Sequence, residues 1–370
     1  MNTVDIESSE VRLLDGVGPG GERTVAPILS EDGTLASGAV RPMDAATLLE
    51  ALEMMTRSRL LDQRGLSYQR QGRVGVFGET RGQEASTVGS ALAVDPSTDW
   101  VVPAYRDLPA VLRQGVALTQ FWLTCIGHPA GWDIPAGVNV LPMQIELGAQ
   151  LPHAVGLAWG LRHQGKAAAV LAYFGDGSSS EGDFYEAGNL AGVLDAPLVM
   201  FCQNNGWAIS TPRHRQTRAS SIAAKASGFG VPGYVVDGND LLAVYAITRD
   251  AMRRAATGAG PTLIEAQTYR LGGHNTADDP TRYSDPAAAE QWLARDPVAR
   301  LQVYLRAQGL WDDERDTALR QRLVLEIDES FARAESIAEE RSPAMLFENV
   351  YVTAPARFAR QRDEIAGESS

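Results

Sequence analysis

Ala167-Ala168-Ala169-Val170-Leu171-Ala172-Tyr173-Phe174 is an unbroken apolar run that stops at Gly175-Asp176-Gly177, and a second run, Leu198-Val199-Met200-Phe201-Cys202, stops at Gln203-Asn204-Asn205-Gly206. Apolar runs of this length that do not alternate with polar residues read as strands buried on both faces. A helical stretch over 183–193 joins the two. Strand, helix and strand at these lengths imply a right-handed crossover and parallel strands. The pattern continues with Tyr234-Val235-Val236, a helix from about 241 to 257 and a strand over 262–266, and a helix over 153–164 precedes it. The expected fold class is α/β, with three αβα layers around a mostly parallel sheet.

Outward from this centre the chain is more helical. Asp44 can cap a helix running to about residue 71, with Leu48, Leu52 and Met55 on one face. Further helices are expected over 82–93 and 108–125. Residues 1–40, rich in Gly, Ser, Pro and acidic side chains, read as an extended arm with little core of its own. Beyond Trp311 the stripe Leu319, Leu323, Ile327 and Phe331 has helical spacing, read as plain packing with a partner-chain interface as the alternative. The expected organisation is an arm (1–40), one α/β domain with its C-terminal helices (41–345) and a tail (346–370).

The 370 residues are 44% apolar and 21% charged, an ordinary globular composition, with a formal net charge of −13. No block of Lys and Arg marks a nucleic-acid surface. Cys125 and Cys202 stand far apart, which argues against a disulfide framework and a cysteine-rich zinc site, and Cys202 reads as a core residue. Residues 1–10 lack the basic and apolar regions of a signal peptide, and no run approaches the roughly 18 to 20 apolar residues that span a bilayer. A cytoplasmic protein is expected.

In open α/β sheets, ligands bind beyond the carboxyl ends of the strands. Asp176 and Asn205 follow two such ends and are 29 positions apart, one crossover. On neighbouring strands their side chains would converge. A carboxylate and an amide oxygen are hard ligands of the kind magnesium takes, completed by phosphate oxygens and water. Flanking glycines admit backbone close to a diphosphate, and Ser178, Ser179 and Ser180 precede a helix N-terminus that favours anions. Either motif alone is commonly just a turn. The pair, one crossover apart, points to a metal-bridged diphosphate site.

Gly175-Asp176-Gly177 followed by Asn204-Asn205 resembles the thiamine diphosphate signature. Residues 182–212, ending Asn204-Asn205-Gly206-Trp207-Ala208-Ile209-Ser210-Thr211-Pro212, resemble the alpha subunits of branched-chain 2-oxo acid dehydrogenases. The likeness runs from about Met54 to Val352 through Gly82-Gln83-Glu84-Ala85, Pro103-Ala104-Tyr105-Arg106-Asp107, Val236-Asp237-Gly238-Asn239-Asp240, Thr268-Tyr269-Arg270 and His274-Asn275-Thr276-Ala277-Asp278-Asp279-Pro280. The resemblance implies the thiamine diphosphate-binding fold, thiamine diphosphate and Mg2+ as cofactors, and oxidative decarboxylation of a branched-chain 2-oxo acid, of the 3-methyl-2-oxobutanoate type, with acyl transfer to lipoyl.

Residue by residue, it implies that Asp176, Asn205 and the Trp207 carbonyl hold magnesium. Tyr105 and Arg106 hold the diphosphate, as the planar Arg fork suits. Gly177 and Ser178 contact the cofactor through backbone, and Ile145 and Leu147 fall beside the aminopyrimidine. His274 reaches the diphosphate and borders the reacting centre, and a histidine in a Gly-rich loop is the best functional candidate among the five. His163 and His214 read as surface groups and His153 as structural, while His128, in a Gly/Pro-rich loop, is open. The resemblance also implies a beta subunit, in an assembly of two alpha and two beta chains. That subunit supplies the glutamate that activates the cofactor, and the acyl group passes to a lipoyl domain of an acyltransferase core.

Three positions depart from the pattern. Asn275 stands where mammalian members carry a regulatory phosphoserine. Ala149-Gln150 replaces a Thr-Gln pair that binds potassium in some members. Residues 135–143, near the substrate entrance in the family, are shortened and lack a histidine found in many relatives. The branched-chain likeness surrounds the cofactor and does not read substrate, so pyruvate and acetoin remain alternatives. From other classes, a phosphatase-like or nucleotide-binding domain using Asp176 lacks a nucleophile and a second acidic cluster. A non-catalytic paralogue would have little reason to keep Asp176, Asn205, Arg106 and His274 together.

Overall fold

The computed structural model describes residues 11–348 and 350–368. The reading of residues 1–10 lies outside them. In chain order the elements that matter are β1 (Arg23–Thr24), α1 (Ala45–Arg70), α2 (Glu84–Leu92), β2 (Trp100–Val102), α3 (Leu108–Arg113), α4 (Leu118–Ile126), α5 (Gln150–His163), β3 (Val170–Gly175), α6 (Gly182–Val193), β4 (Leu198–Asn204), β5 (Trp207–Ala208), β6 (Thr211–Pro212), α7 (Arg213–Gln216), β7 (Gly233–Asp237), α8 (Leu241–Ala256), β8 (Thr262–Gln267), α9 (Pro286–Leu293), α10 (Pro297–Ala307), α11 (Asp313–Ala338) and α12 (Ala356–Glu368).

Among the described residues six strands form one sheet in the order β1-β7-β8-β4-β3-β2, with every neighbouring pair parallel. The α/β expectation holds. Buried residues on each central strand alternate between two cores. Leu171, Tyr173, Val199 and Phe201 face the core built with α1, α2 and α8, while Val170, Ala172, Phe174, Met200 and Cys202 face the one built with α5 and α6. Helices on both faces are why these strands read as continuous apolar runs. Leu319, Leu323, Ile327 and Phe331 of α11 pack on Leu60, Leu61, Tyr68 and Trp122 of α1 and α4, so that stripe is internal packing.

Two readings change in detail. The helix expected over 108–125 is two helices, α3 and α4, because Gly115 turns the chain with φ +109°, a left-handed conformation that favours glycine. The N-terminal arm is extended, but β1 pairs with β7 and Val25, Ile28 and Leu29 are buried in the main core. The short strand β2, unforeseen in the sequence, pairs with β3, and the stretch through Val140 and Gln144 runs along its outer side. Among the described residues no helix is long and apolar enough to cross a membrane.

Candidate functional site

Strands β3 and β4 are neighbours, with Gly175 opposite Gln203, so their carboxyl ends bring Asp176 and Asn205 to the same edge. Both side chains line a cavity of about 380 Å³. Tyr105, Arg106, Ile145, Leu147, Asp176, Gly177, Ser178, Asn205, Trp207 and His274 line it together. Of the three serines after the glycine motif, only Ser178 does. Ser179 accepts a hydrogen bond from Lys225 Nζ at 3.1 Å, behind the turn.

Asp176 is buried. Its Oδ2 accepts from Gln216 Nε2 at 2.9 Å, while Oδ1 is buried with no hydrogen-bond partner among the described residues. Burial pushes the carboxyl up to about 6, opposed by the Gln216 hydrogen bond. Asn205 donates from Nδ2 to Gln83 Oε1 at 3.1 Å, and its Oδ1 accepts the Trp207 N–H at 3.1 Å. Trp207 begins a hairpin with β6 in which Arg213 N–H donates to Gly206 O at 3.0 Å. Hydrogen-bonded and non-hydrogen-bonded pairs alternate in an antiparallel ladder, so the Trp207 carbonyl turns away from β6.

Arg106 lies opposite, on the loop after β2. It is buried, donates to Glu79 O at 2.7 Å and to the His274 carbonyl, and has no ion pair among the described residues. A buried guanidinium without a carboxylate is costly unless an anion completes it. His274 Nδ1 is 3.2 Å from Arg106 Nη2. Burial first, then the cations Arg106 and Arg270, pull the imidazole down to about 4. At Gly177 a Cβ would meet Ala208 Cβ at 2.8 Å, so only glycine lets the turn lie this close to the hairpin.

Over residues 52–342 the chain matches the family described as "Dehydrogenase E1 component". It belongs to that family. These proteins are the alpha chains of thiamine-diphosphate-dependent 2-oxo acid dehydrogenases, which makes this an alpha-type component of such an enzyme. The chain is 43% identical over 336 residues, 90% of each sequence, to a pyruvate dehydrogenase E1 component subunit alpha of Staphylococcus epidermidis. The protein of that name from Staphylococcus aureus strain Mu50 is 42% identical over the same share of both chains.

The E1 family implies thiamine diphosphate, and the cavity fits it. An unpartnered carboxylate oxygen, a carbonyl turned outward and an unpaired buried guanidinium are what a cation-bridged diphosphate needs.

Several lining groups carried no assigned role in the sequence reading. Gln83 and Gln150 each hold a buried amide atom without a partner, and Asp107 is pushed by burial to about 7 while bonded to Ala104 N at 2.8 Å. Gln216 sits in the exposed-looking run Arg213-His214-Arg215-Gln216, and nothing in that pattern signals its contact with Asp176. His128 does not line the cavity. Its Nδ1 accepts from Ala130 N at 3.3 Å, a capping contact.

Proposed function

We propose that this chain, joined to a beta subunit, binds thiamine diphosphate and Mg2+ and carries out the oxidative decarboxylation of pyruvate, with acyl transfer to a lipoyl domain of an acyltransferase core. The observation that carries the cofactor reading is the convergence of Asp176 and Asn205 at adjacent strand ends opposite the unpaired Arg106. Asp176 Oδ1, Asn205 Oδ1 and the Trp207 carbonyl would hold the metal, and Tyr105 and Arg106 the diphosphate. Gly177 and Ser178 would give backbone contacts, and Ile145 and Leu147 would border the aminopyrimidine. His274, neutral at pH 7, would offer its ring N–H as a hydrogen-bond donor at the reacting centre. Bound there, thiamine diphosphate supplies a carbanion that attacks the 2-oxo carbon and an electron sink for decarboxylation. Residues 41–345 act as one cofactor-binding unit in this reading.

The pyruvate assignment rests on relatives of that name, 43% and 42% identical over 90% of the chain. The branched-chain likeness rests on residues around the cofactor, which every substrate would share. A partner is supported by the cavity rim. Val76, Ile145 and Ile209 line the cavity and are 55%, 63% and 55% exposed, an apolar edge that a second chain would cover. Turnover of the co-expressed alpha and beta chains on pyruvate, acetoin and branched-chain 2-oxo acids tests the substrate. A kcat/KM for 3-methyl-2-oxobutanoate above that for pyruvate would overturn the pyruvate reading.

A further inference from the structure

We infer that Gln83 and Gln216 are positioning residues that decide which end of the Asn205 amide and which oxygen of Asp176 faces the cation. The inference rests on the cation site proposed above and assigns residues outside it.

An asparagine presents two unlike ends, and the amide turned the other way would aim N–H groups at a cation. Asn205 is held at both ends: the Trp207 N–H donates to Oδ1 at 3.1 Å, and Gln83 Oε1 accepts from Nδ2 at 3.1 Å and keeps the N–H groups turned from the cation. Gln83 is itself held at the start of α2. Its N–H donates to Thr80 O at 2.9 Å, and its carbonyl accepts from Ser86 Oγ at 2.8 Å. The other end of its side chain, Nε2, is buried without a partner, and Gln83 lines the cavity. The acceptor end therefore goes to Asn205, and the donor end remains for a phosphate oxygen.

Asp176 has equivalent oxygens, so its problem is which one stays free. Gln216 donates from Nε2 to Asp176 Oδ2 at 2.9 Å and to Thr211 O at 3.2 Å, using both amide hydrogens. Oδ1 is left bare and buried. Gln216 closes α7, which continues directly from β6, the strand paired with Trp207. One side chain thus ties the carboxylate to the hairpin that carries the third oxygen. The two glutamines work with opposite polarity: Gln83 as acceptor, Gln216 as donor.

The test uses the alpha–beta assembly and Mn2+ with thiamine diphosphate present, following the free-ion electron paramagnetic resonance signal. Gln83→Leu and Gln216→Leu should each weaken Mn2+ by about tenfold, the usual loss for a group that orients a metal ligand, with little change in Tm. Gln216→Glu, which sets a carboxylate against Asp176, should weaken it further. In an Asn205→Asp background either oxygen can face the ion, so Gln83→Leu should then cost under about twofold, the mark of orientation as opposed to packing. Should leucine lower Tm, Gln83→Ala and Gln216→Ala carry the same expectations. Native Mn2+ affinity in the glutamine variants, or an equal Gln83 effect in both backgrounds, overturns the inference. Asp176→Ala separates the two levels. If it too retains Mn2+, the cation site itself is wrong, and if it alone loses Mn2+, only the positioning role fails.

Discussion

Arg106 Nη2 stands 3.2 Å from Nδ1 of His274 and also donates to the His274 carbonyl. A guanidinium only donates, so Nδ1 is the acceptor and the imidazole proton sits on Nε2. The backbone is set as well, because the His274 N–H donates to Asp278 Oδ2 at 2.6 Å. Arg106 therefore fixes the tautomer of the histidine proposed to meet the substrate, adds to the burial that keeps it neutral, and shares with Asp278 in holding its backbone.

His274 should stay neutral from pH 8 to pH 5, titrating near 4, and Arg106→Ala should move it back toward 6.5. The sign for stability follows from proton uptake. Between pH 6.5 and 4 the unfolded chain holds the proton that the folded chain refuses, so stability falls as pH drops through that window. His274→Ala should flatten that acid limb. It should lower turnover by roughly a hundredfold, the size of one hydrogen-bond donor aimed at the reacting centre, while leaving Tm at pH 7.5 within a few degrees. Imidazole NMR, melting and decarboxylation on one preparation decide it. A large Tm loss with activity falling in step would mark His274 as structural.

Asp176→Ala or Asn205→Ala should abolish magnesium-dependent binding of thiamine diphosphate, since each removes a hard ligand from a site with few. Calorimetry of the alpha–beta complex measures it. Unchanged cofactor affinity in either variant would remove both residues from the site.

The Asp240 carboxylate should be a main anchor of the arm, beside Arg300, which donates to the carbonyls of Leu29 and Ser30. Asp240 Oδ2 accepts from Ile28 N at 2.8 Å and Leu29 N at 3.0 Å, while Oδ1 caps α8 through Leu242 N and Ala243 N. Asp240→Ala strands four amides in a buried setting, which should cost about 3 kcal/mol. Limited proteolysis should then cut within residues 11–40 before the rest of the chain. Wild-type resistance there would show that β1 and Leu29 hold the arm without Asp240.

How far the sequence reaches is visible at β3 and β4. Their apolar runs and the 29-residue step from Asp176 to Asn205 are local signals, and they already place both residues at one sheet edge. Strand β2, three residues long, leaves too short a periodic trace to read. The burial of Ile28 and Leu29 depends on Asp240, 212 and 211 positions away, and no local pattern records such a contact. Gln216 is hidden for the same reason. Its run is basic and exposed in composition, and only the turn from β6 into α7 carries it back to Asp176, 40 positions upstream.

The isolated chain should decarboxylate no 2-oxo acid, even with thiamine diphosphate and Mg2+ saturating. Activation of the cofactor in this family calls for a glutamate at the aminopyrimidine. Among the described residues the carboxylates lining the cavity are Asp107, Glu146 and Asp176. Asp107 is buried and spent on Ala104 N and Gln203, and Asp176 is proposed for the metal. Glu146 is exposed at the rim beside Ile145, and among the described residues its carboxylate has no hydrogen bond or ion pair. The apolar rim of Val76, Ile145 and Ile209 would also stand open to water, so the lone chain should self-associate. Adding the beta chain should restore turnover and give an assembly of two alpha and two beta chains by light scattering. Robust turnover by the alpha chain alone would refute the split site, and loss of that turnover in Glu146→Gln would then identify the activating base within this chain.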